Sequence, residues 1–230
     1  MNSICNKSHF LCTFAVRFIL RIMLIKIYDE NPNTRDVRRV ADCIRDGGIV
    51  VLPTDSLYAF VCSMQHKQSV EKLARLKGFT LKQAKFSLLC ADLSQMSEYV
   101  RPLDKETFAL LKSALPGAPT FIMDANNNVP RNYQNANKTI GLRVPANPIA
   151  HAIIEEVAEP LIATSVRIPD ADYDEEYLTD PELIHERFSN LADIVVDGGI
   201  GDTEPSTVVN CSGGALEIIR EGKGAVDIDN

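Results

Sequence analysis

The run Gly47-Gly48-Ile49-Val50-Val51-Leu52-Pro53-Thr54-Asp55-Ser56-Leu57-Tyr58 constrains the fold more than any other part of the chain. Its four consecutive apolar residues suit a strand buried on both faces. The Gly pair ahead of them closes a helix. Pro53 has no N–H to give a ladder, so regular pairing stops there. Thr54, Asp55 and Ser56 then place two hydroxyls and a carboxylate at a strand end, where ligands commonly bind in α/β proteins. Taken alone, the same residues form an Asx-type turn between two strands.

The rest of the chain alternates strands and helices. Leu24–Tyr28 alternates like an edge strand, and Asn31 to Thr34 offers a turn and a helix cap. Val37, Val40, Ala41 and Ile44 follow at helical spacing. Tyr58 to Met64 is expected to pair with the opening strand. Val70, Leu73, Ala74 and Leu76 mark a helix that stops at Lys77-Gly78. The run from Phe79 to Lys85 has the polarity of a solvated loop, and Phe86–Cys90 that of a short buried strand. Helices are expected over Leu93–Val100 and Lys105–Ala114, then a strand over Thr120–Met123 with its turn at 124–128. Lys138–Pro145 is a strand in which Arg143 faces away from Ile140 and Leu142. Asn147-Pro148 caps the next helix, with proline in its first position. Pro160–Ser165 is a strand ending in hydroxyls. Asp170–Asp180 is an acidic, solvated loop, Pro181–Phe188 a helix and Ile194–Val196 a strand. Ser206–Asn210 and Leu216–Arg220 form a closing antiparallel pair. The class is α/β, and the closely spaced strand pairs imply a mixed sheet.

Residues 1–22 read as an N-terminal extension preceding a single domain over 23–230. Phe10 to Ile27 is largely apolar, but Arg17, Arg21 and Lys26 make it a poor membrane span. The formal charge of −7 argues against a surface that grips nucleic acid all over and leaves room for a local basic pocket. The six cysteines are scattered without C-x-x-C pairs or histidines at metal spacing, as in a reduced, cytoplasmic protein without a zinc site. Cys43, Cys62 and Cys90 sit in apolar patterns and are expected in the core.

Thr54, Ser56, Arg143, Thr164, Ser165, Ser206 and Arg220 all fall at strand ends. Guanidinium groups pair carboxylate or phosphate, and hydroxyls complete such sites, so the set suits an anionic ligand. None of the histidines (His9, His66, His151, His185) lies among these ends. Walker and dinucleotide-binding glycine fingerprints are absent.

Pro53-Thr54-Asp55-Ser56-Leu57-Tyr58, Lys138-Thr139-Ile140-Gly141-Leu142-Arg143-Val144-Pro145, Ala163-Thr164-Ser165, Ser206-Thr207-Val208-Val209 and the closing Ile218-Ile219-Arg220-Glu221-Gly222 resemble, in order, the motifs of the YrdC-like threonylcarbamoyladenylate synthase family. The wording around Asn147-Pro148-Ile149-Ala150 is most similar to its YciO branch. The resemblance implies a YrdC-like twisted mixed β-sheet with flanking helices around a concave, basic cavity. It implies ATP, L-threonine and bicarbonate as substrates, threonylcarbamoyl-AMP and pyrophosphate as products, and a divalent ion, usually Mg²⁺. The product feeds the t⁶A modification of tRNA. Carried over by position, Thr54, Arg143 and Ser206 hold threonine, while Lys77, Thr139, Ser165 and Arg220 face ATP. Ser56, Lys82, Lys85 and Arg167 are accessory candidates.

Two positions depart from the family pattern. Its K-x-R motif stands here as Lys77-Gly78-Phe79, and its S-x-N motif as Ser165-Val166-Arg167. Losing a phosphate-facing guanidinium weakens ATP binding unless Lys82, Lys85 or Arg167 replaces the charge. The departures leave open a second reading, a nucleotide- or RNA-binding protein (double-stranded RNA included) of the same fold without synthase activity.

Overall fold

The computed structural model describes residues 23–135, 137–169 and 174–228. The extension expected over 1–22 and the first part of the acidic loop, 170–173, lie outside them. Ten strands form one sheet: β1 (Met23–Lys26), β2 (Val50–Leu52), β3 (Ala59–Ser63), β4 (Ser87–Leu89), β5 (Thr120–Asp124), β6 (Thr139–Arg143), β7 (Leu161–Ser165), β8 (Ile194–Asp197), β9 (Val208–Asn210) and β10 (Glu217–Arg220). The helices are α1 (Thr34–Arg45), α2 (Lys67–Leu76), α3 (Leu93–Ser97), α4 (Lys105–Ala114), α5 (Pro148–Val157), α6 (Glu176–Thr179) and α7 (Pro181–Arg187).

The strand order is β1-β8-β2-β3-β7-β4-β6-β5-β9-β10, with parallel and antiparallel pairs mixed. β2 is fully buried, ends at Leu52 as Pro53 requires, and pairs antiparallel with β3. β1 lies at the edge, and β9 and β10 close the chain as an antiparallel pair.

Side chains on one strand alternate between the two faces of the sheet. One face, carrying Val51, Phe60, Ile162, Leu88, Leu142 and Phe121, is packed under the larger core cluster with α2 and α7 residues such as Leu73 and Ile184. The opposite face carries Val50, Leu52, Val61 and Leu161, and at this half of the sheet it is roofed by α1 and α5. Val37, Val40, Ala41 and Ile44 of α1 pack there with Ile149, Ile153, Ile154 and Val157 of α5. Asn147 Oδ1 caps α5 by accepting the Ala150 N–H at 2.9 Å, with Pro148 opening the helix. The two roofing helices leave the other half of this face uncovered, and a cavity lies there.

Three local expectations are corrected. The helix read over Leu93–Val100 ends at Ser97. The Glu98 and Tyr99 N–H groups tighten onto the Gln95 and Met96 carbonyls at 3.1 and 3.2 Å, and Val100 then bridges Ala125, where Asn126 donates to the Glu98 and Val100 carbonyls at 2.8 and 2.9 Å. Within the acidic stretch, α6 forms because Leu178 is buried and Thr179 O accepts the Gly201 N–H at 2.8 Å. The run from Phe79 to Lys85 is solvated only in part, since Ala84 is buried against the core. Cys62 and Cys90 are buried free thiols, while Cys43 is only half-buried. No helix among the described residues is long and apolar enough to cross a membrane.

Candidate functional site

Beyond α1 and α5 the uncovered face of the sheet is the floor of a cavity of about 490 Å³. Ala163, Ser87, Gly141 and Ile122 stand side by side across β7, β4, β6 and β5 in register. All four line the cavity, and the first three are small. Gly141 is the lowest point of this floor. A Cβ there would lie 2.6 Å from Ser87 Oγ and 3.2 Å from Thr120 Cγ2.

Thr139 and Arg143 stand two residues either side of Gly141 and share its face. At the Arg143 end, the loop after β2 wraps over the strand. Thr54 Oγ1 donates to Leu57 O at 2.7 Å and accepts the Ser56 N–H at 3.1 Å, which pins the turn and presents Ser56. Arg143, buried to 5% exposure, donates Nη1 hydrogens to Ser56 Oγ at 2.7 Å and to Ser206 Oγ at 3.1 Å. Its Nη2 pairs with Asp55 Oδ1, and its Nε donates to Gly117 O at 3.3 Å. Asp55 is itself fixed by the Ala146 N–H at 3.2 Å. Burial presses the Arg143 pKa below its ordinary value, and the neighbouring Asp55 carboxylate opposes that. The result is a guanidinium held among two hydroxyls, a carboxylate and a backbone carbonyl.

The remaining cations come from separate elements. Lys77, the residue that ends α2, donates from Nζ to Ser165 Oγ at 3.3 Å and also to the Arg167 carbonyl. Burial, and secondarily the Arg167 charge, lowers its pKa to about 8. Arg220 donates from Nε and Nη2 to Ser206 O at 3.1 and 2.7 Å, and its own pKa is lowered by burial and by Arg167. Arg167 thus presses on cations from two other elements. Lys85, Arg143, Arg167 and Arg220 line the cavity, and none of its described lining residues is acidic.

Of the residues singled out from the sequence, Thr54, Ser56, Lys85, Thr139, Arg143, Ser165, Arg167, Ser206 and Arg220 all line this one cavity. Lys77 is not among the lining residues but touches one of them, Ser165. Lys82 is exposed and is not brought to the site. Sequence reasoning missed Ser87, Thr120, Tyr133 and Asn135. Ser87 is a polar residue inside an apolar strand, a signal that alternation could have supplied. Tyr133 and Asn135 lie between β5 and β6 without any periodicity.

The Sua5/YciO/YrdC family model, described as telomere recombination, matches residues 42–222. Over 87% of this chain and 95% of its own length, YciO of Escherichia coli is 37% identical. The crystal structure of E. coli YciO superposes with a TM-score of 0.82 at 35% identity, covering 90% of this chain and 98% of that one. A threonylcarbamoyl-AMP synthase of Nitrosococcus oceani is 32% identical over 58% of this chain and 71% of its own. The fold is shared with P. abyssi Sua5 complexed with L-threonine, at a TM-score of 0.78 and 23% identity over 87% of this chain and 57% of that one. By sequence and by the ten-stranded sheet, this chain belongs to the Sua5/YciO/YrdC family, whose members include threonylcarbamoyl-AMP synthases.

Proposed function

We propose that the chain binds ATP and L-threonine side by side in this cavity and condenses them with bicarbonate to threonylcarbamoyl-AMP and pyrophosphate, the activated intermediate for t⁶A formation on tRNA. One observation carries the reading: hydroxyls and cations from separate elements converge on a single cavity whose floor includes Gly141. Thr54, Ser56, Ser206 and Arg143 form the amino-acid end, where a carboxylate finds hydroxyl and guanidinium donors. Ser165, Arg167 and Arg220, with Lys77 behind Ser165, form the phosphate end. The relative crystallised with L-threonine supports threonine as the amino acid.

The mutual repulsion of Lys77, Arg167 and Arg220 is relieved when a triphosphate lies among them, so the free protein is charged in advance for its ligand. Arg167 brings a guanidinium to the cavity where the family motif has asparagine, while Phe79, in the place of the family arginine, is 42% exposed. Catalysis then rests on alignment of the carbamate oxygen with the α-phosphate and on charge stabilisation of the leaving pyrophosphate. No group of His, Cys, Asp and Glu among the described residues is placed to hold a metal. A divalent ion accompanying ATP would be held by the nucleotide's own phosphates, where it would offset their charge.

The protein incubated with ATP, threonine and bicarbonate should release pyrophosphate only when all three are present. Absence of threonine-dependent release at every protein concentration, with ATP still bound, would replace this reading with that of a nucleotide-binding protein of the same fold.

Lys77 adds a pH signature. A bound phosphate favours its charged form, so nucleotide affinity should fall as pH rises through about 8, with proton uptake on binding. Stability moves the other way. Between about 8 and the ordinary lysine value the unfolded chain holds a proton that the folded chain does not, so folding stability rises with pH across that window. Titration calorimetry in buffers of different ionisation enthalpy reads the uptake, and Lys77→Met should abolish it. Uptake that persists unchanged in Lys77→Met would place the titrating group elsewhere.

A further inference from the structure

Asn135 is tied to Thr139 by three hydrogen bonds. Asn135 Oδ1 accepts the Thr139 N–H at 2.9 Å and the Thr139 hydroxyl at 2.7 Å, and the Asn135 N–H donates to Thr139 O at 3.0 Å. A backbone N–H can only donate, so the amide atom facing it must be the oxygen. The orientation of the amide is therefore fixed. Its NH₂ group is turned away from Thr139 and has no partner among the described residues, in a residue that lines the cavity.

Thr139 itself has spent its hydroxyl proton on Asn135 and keeps only acceptor capacity. It is poorly suited to a phosphate oxygen, whereas the Asn135 amide, with two free N–H donors, is well suited. Two neighbours agree with that polarity. Lys85 lines the same cavity, with its ammonium unpaired among the described residues. Tyr133, 4% exposed, also lines it, and its hydroxyl makes no hydrogen bond to any described residue. Burial first, then Cys62 and the Glu71 carboxylate nearby, raise the pKa of that hydroxyl, so it stays protonated.

We propose that Asn135 is a ligand-binding residue whose amide nitrogen donates to a phosphate oxygen of the nucleotide, and that Thr139 is the positioning residue that aims it. The inference rests on the nucleotide reading above and assigns a donor that the family motifs did not indicate. Its chemistry is shared by the triphosphate of ATP and by free pyrophosphate, and the two are separated by measuring both ligands.

Binding of ATP, pyrophosphate and adenosine is measured by calorimetry on the full chain, with thermal melts on every variant. Asn135→Asp keeps both bonds from Thr139 but turns the free end into an anion. It should weaken ATP binding by about 30-fold or more and leave threonine affinity within about twofold. Loss for ATP together with pyrophosphate places the contact on the β/γ-phosphates. Loss for ATP alone places it on the α-phosphate. Loss for adenosine to the same degree overturns the phosphate assignment. Asn135→Ala should cost about tenfold and Thr139→Val about threefold. If Thr139 acts only through Asn135, the double variant should bind no worse than Asn135→Ala, and fully additive losses would overturn the positioning role. If the unsubstituted protein binds neither ATP nor pyrophosphate, the nucleotide reading and this inference fall together. If it binds both and Asn135→Asp binds as well, only this inference falls.

Discussion

Replacing Arg143 with alanine is expected to eliminate threonine-dependent pyrophosphate release and to lower stability by about 3 kcal/mol. The second effect follows from burial: Asp55 is only 19% exposed, and removing its partner leaves a carboxylate uncompensated beside the core. The first follows from geometry, because Arg143 is the group that binds Ser56 and Ser206 into one cluster. Arg143→Lys separates the two effects. It retains a cation for Asp55 but not the planar fork that serves Asp55, Ser56 and Ser206 together. It should recover most of the stability, to within about 1 kcal/mol of the original, while threonine affinity stays at least about tenfold down. A lysine variant with unaltered threonine affinity would show that the fork does not recognise the amino acid. Denaturant melts and threonine calorimetry on the same samples make both readings.

Gly141→Val should abolish both ligand affinities at once, by about 100-fold or more, for a stability cost of only about 1–2 kcal/mol. Gly141 needs no unusual backbone, and the atoms a valine would crowd, Ser87 Oγ and Thr120 Cγ2, are side-chain ends that must turn aside, which sets the cost. The added side chain meets Ser87 Oγ and Thr120 Cγ2 and stands up from the floor between Thr139 and Arg143. A valine here fills part of the cavity floor itself. Selective loss of threonine or of ATP alone would mean that the ligands do not adjoin across this residue.

The strands carrying the site were legible because their residues say two things at once. Ile49–Leu52 reads as buried on both sides, and Pro53 as a stop, from apolarity and a missing N–H alone. Arg143 could be placed opposite Leu142 by alternation, and in the structure Leu142 enters the core while Arg143 lines the cavity. The misreadings have a common origin in partners distant along the chain. The Leu93 helix ends early because Val100 is drawn into a bridge with Ala125, beside which Asn126 and Asn128 hold the Glu98 carbonyl. Lys82 and Lys85 look equivalent in the chain, yet only Lys85 lines the cavity, because the loop turns inward at Ala84. Asn135 was invisible because its meaning lies in which of its two amide atoms Thr139 engages.

Local chemistry along the chain was enough to determine the strands and helices, their buried faces, the strand-end hydroxyls and guanidinium groups, and the family. The tertiary structure alone decided that α1 and α5 roof one half of a sheet face and leave the other half open. It alone decided that Arg143 is locked by Asp55, that Lys77 reaches the site through Ser165, and that Asn135 rather than Thr139 offers the free donors. The physical reason is that alternation and propensity act over a few residues, whereas a cavity is set by what fails to cover a surface and by which donors are already taken.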